Sequence, residues 1–259
     1  MALIRAELLK VATTRLWWVM LLVMLAYVAI PLGFAVFSAG TTGANGQVII
    51  PARDTAAFQE LVWGMGTGGS LFAAVLGVVM MTGEYRYQTI TTTLLVTPKR
   101  VRVVAAKLAA SLVVGVLLGL AALLLTGVTL LVTVLAAGGE PVLTGTVARV
   151  AASVLVVLAL YALFGLGLGA LIKNQIGALL AVIIWIYIVD SVINLVPVLQ
   201  PLARWTPGGA TSALTSTGVT FGIDMSYLLP PWAGGLVLLG YGLLFSALAS
   251  ATTLRRDIT

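Results

Sequence analysis

Apolar residues run along this chain in long unbroken stretches, not in the alternation of strands or the narrow stripes of soluble helices. A helix needs roughly 20 such residues to cross a hydrocarbon core about 30 Å thick. Six stretches meet that length, at residues 16–38, 61–83, 107–137, 150–172, 175–196 and 232–254. Returning charge or a cluster of Pro and Gly bounds each one. The pattern predicts an all-α membrane protein, with six transmembrane helices forming a single domain over residues 1–259.

The connecting segments add detail. Ile4, Leu8 and Val11 recur at i, i+4 and i+7 before the first stretch, with Glu7, Lys10 and Thr14 assigned to another face. That spacing predicts a short amphipathic helix at the membrane interface. The first stretch exceeds the roughly 7–15 apolar residues of a secretory signal, so it reads as a retained span. Residues 39–60 are rich in Gly and Thr and read as a solvated loop, with Asp54 as the expected cap of the second span. Residues 197–231 combine five prolines and Gly208-Gly209 with Leu199, Leu202, Trp205 and Leu214. Irregular backbone at membrane depth must be shielded by protein, so this segment is expected to form interfacial or re-entrant helices packed on the spans.

Composition supports lipid as the solvent. The 259 residues are 61% hydrophobic and 8% charged, with a mean hydropathy of +1.14, where a soluble domain carries about a quarter charged residues. Cysteine and histidine are absent, which removes thiol chemistry, the commonest general base and the commonest metal ligand. The net charge of +6 reflects membrane topology and not nucleic-acid binding. Arg5, Lys10, Arg15, Arg86, Lys99, Arg100, Arg102, Lys107, Lys173, Arg255 and Arg256 fall on one side, while Arg53, Arg149 and Arg204 fall on the other. The richer side, with both termini, is expected in the cytoplasm.

Within the apolar stretches, Asp190 is the only acid. It shares an ideal helical face with Tyr187 and Asn194, at i, i+3 and i+7, and the three are candidates to line a pathway; capping of the segment that follows is the structural alternative. Glycines spaced by four (Gly64 and Gly68, Gly115 and Gly119, Gly165 and Gly169) suit close helix approach. Glu84, at the end of the second stretch, has Lys10, Arg15 and Lys107 as candidate partners.

The most informative segment joins the second and third stretches, from Gly83 to Arg100. A short helix is expected from about Gln88 to Val96, with Ile90, Thr93, Leu94 and Thr97 on one face. Thr97-Pro98 reads as a cap and first residue of a further helix, which carries Lys99, Arg100 and Arg102 in water and passes Lys107 before meeting lipid. The whole is a compact turn held below the membrane between two long helices.

This segment resembles the connection found in the permease subunits of type-2 ATP-binding cassette (ABC) transporters. There a Glu ends the second span, a Thr lies in a short helix, and Pro, basic residues and a later Lys follow. The matching positions here are Glu84, Thr89, Pro98, Arg100 and Lys107, with Gln88 where many members have Gly. The layout matches along essentially the whole chain. The resemblance implies that the short helix is a coupling helix seated on a separate ATPase, and that two permeases pair, as a homodimer or heterodimer, in a cell membrane of bacterial type. Glu84, Arg86, Thr89, Thr92, Thr93, Leu94, Lys99 and Arg100 would then face the ATPase.

No lysine sits in a phosphate-binding Gly-x-x-x-x-Gly-Lys-Ser/Thr loop. No cofactor is therefore expected in this chain, and ATP and magnesium are expected on the partner. The expected cargo is a hydrophobic or amphipathic drug, antibiotic, lipid or peptide moved out of the cytoplasm. An ion-coupled carrier would be expected to hold more ionisable groups at mid-membrane, and an intramembrane protease would need histidines or a second acid. A non-transporting scaffold subunit is the remaining alternative.

Overall fold

The computed structural model describes residues 2–44, 46, 48–89, 100–143, 145–216 and 227–252. Among them the regular structure is helical, apart from one isolated bridge between Thr42 and Val48. A helix at Ala2–Ala12 comes first. Six helices are long and apolar enough to cross a membrane: span 1 (Leu16–Phe37), span 2 (Ala56–Arg86), span 3 (Val101–Ala136), span 4 (Gly145–Leu171), span 5 (Gln175–Leu195) and span 6 (Pro231–Ala251). Their number and order are those predicted. The N-terminal helix and the span 2–span 3 connection mark what is called here the basic end; the opposite end is the far end.

The boundaries shift where a polar side chain finds a partner. Span 2 starts at Ala56, ahead of the expected position, because buried Gln59 is satisfied from outside the helix. Its side-chain amide donates to the Glu140 carbonyl at 2.9 Å and its oxygen accepts from Val142 N at 2.7 Å. The cap is Thr55, whose hydroxyl accepts from Phe58 N at 3.2 Å, and not Asp54 as expected. The third helix runs from Arg100 and passes Lys107 as expected. A lysine paired within the protein does not end a span.

Span 4 is the axis of the bundle, with 83% of its most apolar window buried, against 22% for span 1 and 17% for span 5. Its burial rests on backbone-to-backbone approach. A Cβ on Gly165 would fall on the Ala74 carbonyl oxygen of span 2, and one on Gly115 of span 3 would lie 2.5 Å from the Leu158 oxygen. Gly169 and Gly119 continue those two seams. The third predicted pair does not form one, since a Cβ at Gly64 or Gly68 meets its nearest neighbour at an ordinary 3.7 Å.

The segment before span 6 packs on the spans as expected over its described part. Thr206-Pro207 starts a helix over Pro207–Thr215, with the Thr206 hydroxyl accepting from Gly209 N at 3.1 Å and proline at the first position. This short far-end helix lies so close to span 6 that a Cβ on Gly234 would sit 2.6 Å from the Ala210 oxygen.

Candidate functional site

The site at the basic end grows from the N-terminal helix. Leu8 and Val11 pack into the main core cluster with Leu16 of span 1 and Leu112 of span 3. Glu7 follows them inward and is 6% exposed. The expectation that it lies on a separate polar face is corrected here: position 7 is three beyond Ile4 and four before Val11, which puts it within the same stripe. The inward face of the helix therefore carries a carboxylate.

That carboxylate meets three other charges. Glu84 comes from the last turns of span 2 and Lys107 from the start of span 3. Lys107 Nζ donates to Glu7 Oε2 at 2.6 Å and to Glu84 Oε1 at 2.8 Å. Lys10 Nζ donates to Glu7 Oε1 and to Glu84 Oε1, both at 2.7 Å. The four side chains form a closed ring of two acids and two bases, neutral overall. Lys107 is 1% exposed in its side chain, the two acids are nearly as buried, and only Lys10 reaches solvent. Buried charges of this kind persist only when paired and hydrogen-bonded. Burial works against the Lys10 charge, but its hydrogen bonds to Glu7 and Glu84 and the attraction of both carboxylates outweigh it and raise the ammonium above its ordinary 10.5.

The ring sits where the span 2–span 3 connection leaves and returns. Span 2 ends in a Schellman motif: Thr89 N donates to Glu84 O at 3.0 Å and Gln88 N to Tyr85 O at 3.3 Å. Gln88 takes the left-handed position with φ +54°, where glycine is usual. This gives physical content to the glycine that many permeases of the resembling family carry there. Arg86 reaches across to span 5, donating to Gln175 Oε1 at 3.3 Å, and lies 5.6 Å from the centre of the Tyr87 ring. Of the other expected contact residues, Thr92, Thr93, Leu94 and Lys99 lie outside the described residues, as do Thr97, Pro98 and the expected helix of about 88–96 beyond Thr89. Arg100 opens the span 3 helix, but its side chain is not described.

Of the partners considered for Glu84, Lys10 and Lys107 bind it. Glu7, which completes the ring, is the residue sequence reasoning missed, although its spacing within the apolar stripe was the available signal. Beside the ring a cavity of about 520 Å³ opens between the N-terminal helix, the start of span 1 and span 2.

The far-end candidates separate. Span 5 contains one π-helical turn, Trp185–Val189, and this wider turn shifts the helical phase between Tyr187 and Asp190. Tyr187 faces span 1, its hydroxyl 2.9 Å from that of Tyr27. Asp190 turns inward, 6% exposed, and its Oδ2 accepts from Gly208 N at 2.9 Å in the first turn of the far-end helix. Asn194 stays with it, donating to the Asp190 carbonyl at 2.7 Å and accepting from the Tyr227 hydroxyl at 3.1 Å. The structure thus brings Asp190 and Asn194 together and leaves Tyr187 apart.

Arg149 was read from sequence as a loop charge alone. It donates to the Leu214 and Ser216 carbonyls at 2.9 and 2.5 Å, at the other end of the same helix, and Ser153 donates to the Leu214 carbonyl at 2.9 Å. The far-end helix therefore has an acid at its positive end and an arginine at its negative end, each matched to the helix dipole.

Comparison with known proteins bears on the whole arrangement. No curated protein matches the chain. The profile described as "ABC-2 family transporter protein" matches residues 3–189, from the N-terminal helix through the π turn of span 5, and so contains all four members of the ring. The chain belongs to the ABC-2 family of membrane transporter proteins.

Proposed function

We propose that this chain is the non-catalytic permease subunit of an ATP-driven exporter, with the basic end and both termini in the cytoplasm of a bacterial cell and a separate cassette ATPase gripping the span 2–span 3 connection. Hydrolysis on that partner, with its ATP and magnesium, switches a pair of permeases between inward- and outward-facing packings, each favoured by one nucleotide state. The cargo is hydrophobic or amphipathic. The observation that carries this reading is the ion ring. A connection that must transmit a push needs both its roots fixed to one another, and Glu84 and Lys107 do so while Glu7 and Lys10 add the N-terminal helix to the same rigid unit.

A route for the push beyond the ring is also available. Arg86 touches Gln175 at the start of span 5, and the same span carries Asp190, which holds the far-end helix through Gly208. A displacement at the basic end would reach the far end along one helix.

The test is to co-express the chain with a candidate cassette ATPase and to introduce cysteines at Thr92 or Leu94 for crosslinking. Nucleotide-dependent crosslinks, together with vesicle transport that requires ATP hydrolysis, are the expected result. Failure to co-purify, with no crosslink in any nucleotide state, would remove the coupling assignment and leave only a six-span membrane protein of the family.

A further inference from the structure

The cavity beside the ring has a chemistry that ion pairing leaves unused. Its long walls are apolar, from Val11 of the N-terminal helix, Leu16 of span 1, and Leu76 and Val79 of span 2. Lys10 and Glu84 stand at its polar end. An ammonium offers three N–H donors. Two from Lys10 go to Glu7 and Glu84, and its side chain is about half exposed, so one donor remains free. Glu84 accepts both lysines through Oε1, while its Oε2 is buried with no partner. A buried carboxylate oxygen without a donor is unfavourable. The polar end therefore sets a free cationic donor beside a carboxylate whose second oxygen lacks a partner but is closed to water, so a ligand must turn that carboxylate toward the cavity to reach it.

We propose that this cavity binds a membrane phospholipid with a primary-ammonium headgroup, a phosphatidylethanolamine. The lipid phosphate accepts from Lys10, the ammonium donates to Glu84 Oε2 once the carboxylate turns toward the cavity, and an acyl chain lies along Val11, Leu76 and Val79. Phosphate and ammonium in this headgroup are joined through only two carbons. They can therefore reach neighbouring groups, and Lys10 Nζ lies 2.7 Å from the carboxylate whose other oxygen is free.

Charge selects among lipids. The ring is neutral, so a zwitterion adds no net charge to a site of low polarity, whereas an anionic lipid or a cationic amphiphile does. A choline headgroup is zwitterionic too, but its quaternary nitrogen has no N–H to give Glu84. The volume, about 520 Å³, lies within the range of small-ligand sites. The depth is also right for a headgroup, because Trp17 and Trp18 are exposed at the start of span 1, where interfacial aromatics sit. The assignment of the inner leaflet rests on the orientation proposed above; binding itself does not depend on an ATPase.

The experiment uses the purified full-length chain in detergent, with native mass spectrometry to read lipid retention. Phosphatidylethanolamine, phosphatidylcholine and phosphatidylglycerol of matched acyl chains are added in turn. Retention of phosphatidylethanolamine about tenfold above both others is expected, falling stepwise as its nitrogen is methylated. Val79→Trp, which fills the apolar part of the cavity and leaves all four ring residues unsubstituted, should abolish the preference. Thermal unfolding of that variant without lipid checks its fold, and if it does not fold, the headgroup series on the unaltered chain decides alone. Equal retention of the three lipids overturns the proposal, as does a preference for phosphatidylglycerol. Dodecylammonium binding without any preference for phosphatidylethanolamine would give the cavity to a soluble cationic amphiphile and overturn the lipid assignment.

Discussion

Lys107 Nζ and Glu7 Oε2 lie 2.6 Å apart although 100 residues separate them along the chain. The contact fixes the N-terminal helix to span 3 through the most buried charge in the ring. Lys107→Met leaves two buried carboxylates sharing one half-exposed lysine, so a loss of about 3–5 kcal/mol is expected. It would be read as a lower unfolding temperature and reduced folded yield in detergent. Adding Glu84→Gln to Lys107→Met removes one uncompensated charge and should restore part of the loss. A cost below about 1 kcal/mol would mean that the ring behaves as a surface ion pair.

Lys10 supplies a pH test with a definite sign. Its pKa in the folded chain is raised above the ordinary 10.5, so its stabilising contribution is complete below that value and fades as pH rises through the folded value. The stability difference between the unaltered chain and Lys10→Met should stay constant from about pH 7 to about pH 10 and shrink only in stronger alkali. Thermal unfolding in detergent across that range measures it. A difference that fades between about pH 7 and 9 would show that Lys10 is not held as the ring requires.

The six spans were legible because lipid imposes a length and a composition that no other constraint imitates. Glu84 and Lys107 were legible because they stand at span boundaries, where charge is conspicuous. Glu7 was not, because a carboxylate in a basic amphipathic helix reads as solvated until two lysines converge on it. Tyr187 and Asp190 were grouped by an ideal helical spacing, and one π turn separated them; nothing in Trp185–Val189 announces that turn. Thr206-Pro207 caps its helix as that dipeptide suggests, whereas the same dipeptide at Thr97-Pro98 lies outside the described residues.

Gln88 occupies a left-handed position at the end of span 2, with φ +54°. For a residue with a Cβ this conformation costs about 1–2 kcal/mol. Gln88→Gly relieves it, partly offset by the greater freedom of glycine in the unfolded chain, and should raise stability by about 0.5–1 kcal/mol. Gln88→Val should lower stability and disturb the Schellman bonds from Thr89 and Gln88. Equal stability of the two variants would place the residue outside the left-handed region.

The two kinds of glycine make a paired prediction. Gly165→Ala puts a methyl on the Ala74 carbonyl and has no flexible side chain to displace, so spans 2 and 4 must separate. A loss of more than about 3 kcal/mol, or failure to accumulate, is expected from overpacking of backbone against backbone. Gly64→Ala finds only Val150 at 3.7 Å and should be neutral or slightly stabilising, since alanine favours the helix by about 1 kcal/mol. Detergent unfolding of the two variants side by side removes general effects of the membrane mimic.

Asp190 and Arg149 hold opposite ends of the far-end helix, and their variants separate capping from transport. Asp190→Asn keeps an oxygen for Gly208 N and loses only the charge at the helix N-terminus, a term of about 0.3–1 kcal/mol. Asp190→Ala also leaves that N–H without its acceptor and should cost about 1–3 kcal/mol. Arg149→Met frees the Leu214 and Ser216 carbonyls together, although Ser153 still serves the first of them, so a similar loss is expected. If capping is the whole role of Asp190, reconstituted transport should follow stability, with the Asn variant near normal and the Ala and Arg149 variants reduced in step with their folded fraction. Transport lost in Asp190→Asn at unchanged stability would show instead that the carboxylate acts on the cargo or on a proton, because neither capping nor packing distinguishes the two side chains by more than the dipole term.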